Sequence, residues 1–192
     1  MTKARLEAFS DGVVAILITI MVLELHVPHE PTWEALQPLV PIFLTYVLSY
    51  VFLGIYWNNH HHMMHATDRI NGKVLWANLH LLFWLSLIPF VTGWMGQNHF
   101  ESLPTAAYGI VMMCAALAYY ILAHALVAAQ GPDSRLARAL GRDRKGQISN
   151  MLWAAGIVLS FVNEWLAIAI YIGVALIWLI PDTRIERTHV ER

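Results

Sequence analysis

Apolar residues gather along the chain into long blocks. Leu39 to Trp57, Val74 to Trp94 and Ala106 to Ala129 carry almost no charge. A bilayer core about 30 Å thick needs roughly 20 residues of helix, so each block is long enough to cross. The block Val13 to Leu23 is shorter and reaches that length only with Phe9, Ser10, Asp11 and Glu24, which predicts a first helix with polar ends. Met151 to Ile180 is apolar apart from Asn163 and Glu164 and too long for one ordinary crossing. It reads as two helices turning at Asn163-Glu164, with one long tilted helix or a re-entrant hairpin as the rival. The pattern predicts an all-α membrane protein with six transmembrane helices, at about 5–25, 35–60, 72–95, 105–129, 146–163 and 165–181, in a single domain over 1–192. Pro89 predicts a kink in the third span, and Ser134 to Leu140 a short surface helix between the fourth and fifth.

Composition agrees with the blocks. Of 192 residues 58% are hydrophobic and 13% charged, and the mean hydropathy is +0.53. Soluble domains carry about 25% charged residues, which excludes a water-soluble globule. Lys and Arg number 12 against 13 Asp and Glu, for a net charge of −1, so nucleic acid is not an expected partner. The lone Cys114 excludes an intrachain disulfide. Lys3 and Arg5, Arg69 and Lys73, the cluster Arg135, Arg138, Arg142, Arg144 and Lys145, and finally Arg184, Arg187 and Arg192 all fall on one side of a six-span arrangement. The other side carries Glu30, Glu34, Glu101 and Glu164. By the positive-inside rule both termini are expected in the cytoplasm, on a multi-pass protein of the cell membrane. Asp11 interrupts the N-terminal block, so no cleavable signal peptide is expected.

At 100° per residue, Gly12, Ile16, Thr19, Ile20 and Leu23 share one stripe of the first helix, roughly 100° wide. Such a stripe of small and branched residues with one hydroxyl serves an interhelical seam as readily as a pore, because Thr can bond its own backbone.

Arg5, Phe9, Ser10 and Asp11 form the pattern R-x-x-x-F-S-D-G, followed by an apolar run with a Thr and a closing Leu-Glu-Leu. This segment resembles the signature of the transmembrane protein 175 family of potassium channels, and the likeness extends over nearly the whole chain. The resemblance implies a prokaryotic form: six spans per subunit, a homotetramer, and a central pore lined by the first helix. It also implies a filter of side chains; no TVGYG loop is present. Counted from the Ser-Asp pair, the family's apolar constriction falls on Ile16, its hydroxyl layer on Thr19, and further apolar layers on Ile20 and Leu23. The implied partners are potassium ions, other copies of the chain and the lipid bilayer, with no cofactor. Glu24 is expected at the outer mouth.

An unpaired Asp11 at the membrane edge is costly, so it needs partners. Arg5 lies six residues earlier, about 240° around the helix, and cannot pair with it along one face. Trp57, His61, Trp76, Asn78 and His80 are candidates from neighbouring helices by their height in the membrane. Arg5, Phe9, Ser10 and Asp11 are therefore expected in a structural and gating network with these groups.

The tract His60-His61-His62-Met63-Met64-His65 places His61 and His65 at a two-ligand spacing, but nothing nearby completes a metal site, and solvated imidazoles at a helix end account for it. An intramembrane haem protein would need facing histidines, and His80 and His124 each sit alone in their spans. A proton-coupled secondary carrier would bury acids near midplane, and no span has one there. Motifs such as G-x-S-x-G or H-E-x-x-H are absent, so no enzymatic activity is expected.

Overall fold

The computed structural model describes residues 2–131, 134–140 and 144–179, and every regular element among them is helical. Helix α1 (Lys3–Ile20) tightens into a 3-10 turn at Met21–Glu24. A short α2 (Trp33–Leu36) and a 3-10 turn (Gln37–Leu39) lead into α3 (Val40–His65). Helices α4 (Gly72–Ser86), α5 (Ile88–Gln97), α6 (Ser102–Gln130), α7 (Arg135–Leu140), α8 (Arg144–Leu159) and α9 (Glu164–Leu179) follow.

Among the described residues, four stretches are long and apolar enough to cross a membrane: Lys3–Glu24, Trp33–His65, Gly72–Gln97 and Ser102–Gln130. Many large apolar side chains lie exposed on their outer surfaces, among them Phe43, Leu44, Phe83, Phe90 and Leu103. In water such a surface would aggregate, whereas lipid solvates it, and the chain is a membrane protein.

Local chemistry sets the helix limits. Asn71 caps α4 by accepting from the Val74 amide at 3.0 Å. At Leu87 the third long run breaks into α4 and α5, one turn before Phe90, because Pro89 has no amide to donate back across the joint. The block from Met151 also divides, with α8 ending at Leu159 and α9 starting at Glu164. Asn163 Oδ1 accepts from the amides of Trp165 and Leu166, at 3.0 and 3.3 Å, which starts the new helix and excludes a single long one. Ser134 caps α7 in the same way, accepting from the Ala137 amide. The α5–α6 turn is tight: His99 and Phe100 take positive φ values of 49° and 65°. Burial of the Phe100 ring and a bond from its amide to Met95 O hold that conformation.

End-to-end contacts show that successive long helices run antiparallel. At one end Trp57 of α3 meets Asp11 of α1, and Gln130 at the foot of α6 bonds the backbone of Asp68 and Arg69. At that end too, Trp178 of α9 donates to Ser149 of α8. At the opposite end Gln97 of α5 meets Glu24, and Phe100 packs on Trp165.

Helix α6 runs through the middle, against α4, α5 and α8. Its buried Ala115, Ala118 and Ala123 allow close approach. Tyr171 of α9 fills the space over Gly109 of α6 and Gly156 of α8, where a Cβ on either glycine would collide with its ring or hydroxyl. Buried hydroxyls join the layers: Ser49 of α3 bonds Thr92 of α5 at 2.6 Å and Tyr108 of α6 at 3.1 Å.

Candidate functional site

Helix α1 has two unlike faces. Leu6, Ser10, Val14, Leu17 and Met21 are buried against the bundle at helical spacing. The opposite stripe is open: Ile16 is 62% exposed, Ile20 45% and Leu23 72%, with Gly12 and Thr19 also exposed on it. Phe9 also lies on the open side. Ile20 and Leu23 stand in one line because Met21–Glu24 is wound as a 3-10 turn, which brings residues three apart into register. The uniform α-helical count used for the sequence already placed both on the stripe, and the 3-10 turn brings them closer into line.

Thr19 is the polar position on the stripe. Its Oγ1 lies 3.0 Å from both Ala15 O and Ile16 O, so its proton points back into the helix. The oxygen lone pairs are left for the open side, where they can face a cation.

The inner end of α1 is tied down by a chain of hydrogen bonds. Ser10 Oγ donates to Leu6 O (2.9 Å) and accepts from Asn78 Nδ2 (3.0 Å), while Asn78 Oδ1 lies 2.8 Å from His60 Nε2. An amide oxygen only accepts, so His60 donates through Nε2. Ser10, Asn78 and His60 are all buried. Beside them Trp57 Nε1 donates to Asp11 Oδ1 at 3.0 Å. His61 stacks on Trp57, with 6.0 Å between ring centres, and so lies behind this bond.

Other expected members sit elsewhere. Arg5 is exposed on the first turn. Trp76 is 75% exposed on α4, and His80, also exposed, accepts from Trp84 Nε1 at 3.0 Å. Within one copy these side chains take no part in the chain from Ser10 to His60. His60 was missed because height in the membrane does not say which face of α3 a residue occupies. Its signal was present, since it falls seven residues after Leu53 and three and four before Met63 and Met64, on the buried stripe of α3.

The outer end of α1 has a second anchor. Glu24 Oε2 accepts from Gln97 Nε2 at 3.0 Å, and the Glu24 side chain lies on Gly93, where an added Cβ would come within 3.1 Å of Oε2. Both Gln97 and Gly93 belong to α5, whereas Asn78 belongs to α4. The two halves of the broken third run thus hold opposite ends of α1.

The model of the family described as endosomal/lysosomal potassium channel TMEM175 matches residues 5–89, the part of the chain that contains α1 from Arg5 on and both anchors except Gly93 and Gln97. A potassium channel of Chryseobacterium sp. (strain P1-3) is 53% identical over 188 residues, covering 98% of each chain. The endosomal/lysosomal proton channel TMEM175 of Gallus gallus is 38% identical over 73 residues, 32% of this chain and 15% of that one. In structure, a lysosomal potassium-selective channel TMEM175 homologue from Chamaesiphon minutus superposes with a TM-score of 0.79 at 25% identity, covering 94% of this chain and 97% of the other. On this likeness of sequence and fold over almost its full length, the chain belongs to the TMEM175 family.

Proposed function

We propose that this protein is a potassium channel in which α1 of four copies surrounds a shared axis, each turning its open stripe inward. The supporting observation is the division of α1: one face and both ends are fixed to the bundle, and the face left over is apolar with a single hydroxyl layer. In this reading α8 and α9, each 16 residues or about 24 Å long, complete six passes, and the Lys and Arg side faces the cytoplasm.

A ring of four Ile16 side chains gives an ion no ligand, so a narrow ring excludes water and closes the path. Four Thr19 hydroxyls turn lone pairs toward a partly hydrated cation. Potassium, with the looser hydration shell, gives up water at less cost there than sodium. Glu24, although bonded through one oxygen, keeps its negative charge near the outer end and raises the local cation concentration.

Planar-bilayer recording of the purified protein with potassium opposed to sodium tests this reading. A reversal potential displaced toward the potassium equilibrium value is the expected result. Absence of current, or reversal at zero, overturns it.

A further inference from the structure

The tract His60-His61-His62-Met63-Met64-His65 divides by face once it is wound into the end of α3. His60, Met63 and Met64 are buried, and His60 is committed to Asn78. His61 and His62 are half-buried and His65 is exposed, so three imidazoles stand at the rim of the bundle.

His61 and His65 are one helical turn apart, with ring centres 4.7 Å from each other and planes at 63°. That separation suits a shared metal ion. Two imidazoles on one ion, with metal–nitrogen bonds of about 2.1 Å, ring centres about 1.1 Å further back and an angle of roughly 90–110° at the metal, stand about 4.5–5.2 Å apart. The rings of His61 and His62 are 5.7 Å apart and fall outside this range.

One ring of the pair is also supported. His61 stacks on Trp57, with 24° between planes, and Trp57 is fixed in turn by its bond to Asp11. The Asp11 carboxylate brings a negative charge to this end of α3, which favours a cation there. Among the described residues no group of three or more His, Cys, Asp and Glu side chains is placed to hold an ion, so a metal on this pair takes its remaining ligands from water.

We propose that His61 and His65 bind one late first-row divalent metal ion at the inner end of α3, with water completing its coordination. Two imidazoles select such ions over calcium and magnesium, which take oxygen ligands. Copper(II) stands highest in the Irving–Williams order and is the most sensitive probe.

The test uses tag-free, full-length protein in phosphatidylcholine nanodiscs at about pH 7.5, where an exposed imidazole is largely neutral and free to bind metal. Copper(II) chloride is titrated to less than one ion per chain, and electron spin echo modulation counts the imidazoles on the ion. Two are expected in the wild type. His65→Ala, at an exposed position that leaves the core untouched, should reduce the count to one and weaken binding about tenfold or more. His61→Ala should do the same, whereas His62→Ala should leave both imidazoles in place. A wild type that binds no copper, or binds it through one imidazole, overturns the proposal and leaves the tract as solvated side chains. A two-imidazole signal that survives His65→Ala, or is lost in His62→Ala, overturns it as well, because the ion then sits on other histidines.

Discussion

On one side of α1, Leu6, Ser10, Val14, Leu17 and Met21 are closed off by α3, α4 and α5, whereas on the other Gly12, Ile16, Thr19, Ile20 and Leu23 are left uncovered by their own chain. Both faces are mainly apolar and each carries a hydroxyl, so composition does not separate them. The use of the hydroxyl does. Ser10 is one link in a buried chain that reaches three helices, while Thr19 bonds only within its own helix. The first arrangement fixes where α1 stands. The second leaves a surface whose partners must come from outside the chain.

If that division is real, substitutions on the two faces should have different readouts. The largest effect is expected from Asn78→Leu, which leaves the His60 N–H unmet and removes a bond to Ser10. The cost should be about 2–4 kcal/mol, seen as a lower unfolding midpoint in detergent, with the selectivity of surviving channels unchanged. A selectivity change of the same size would break the comparison. Next is Ile16→Asn on the open face. Cation leak from reconstituted vesicles should rise at least about tenfold, equivalent to about 1.4 kcal/mol, while stability stays within about 0.5 kcal/mol. Thr19→Val should lower the potassium-to-sodium permeability ratio about threefold under bi-ionic conditions, in keeping with the loss of one weak polar layer. The smallest effect is expected from Gln97→Leu. The Glu24 bond is exposed, so its loss should cost about 0.5 kcal/mol and sharpen the contrast between the two anchors of α1.

The sequence is informative where the relevant property is local. Blocks of apolar residues reveal the long helices, Asn163 marks the break within the last block because it is a natural cap, and the stripe on α1 follows from helical periodicity alone. The need of Asp11 for a partner is equally legible, since an isolated carboxylate at the membrane edge is costly. Which residue answers it is not. His60 and His61 differ by 100° around α3, and only the packing of α3 against α1 and α4 puts His60 at Asn78 and His61 behind Trp57. Height in the membrane likewise gave no hint that Trp76 and His80 are left exposed by their own chain. The anchor between Glu24 and α5 joins residues 73 apart, and Gly93 takes part only by lacking a side chain. No residue-level pattern announces such a contact.

The tightened last turn of α1 acts as a screw thread. A 3-10 turn rises about 2.0 Å and rotates 120° per residue, against about 1.5 Å and 100° in an α-helix. Rewinding the four residues Met21–Glu24 into α-helix would shorten the segment by about 2 Å and swing Glu24 some 80° around the axis, away from Gln97. Leu23 would leave its line above Ile20 in the same movement. The grip on α5 and the alignment of the two outer apolar side chains are therefore set together, by the pitch of a single turn.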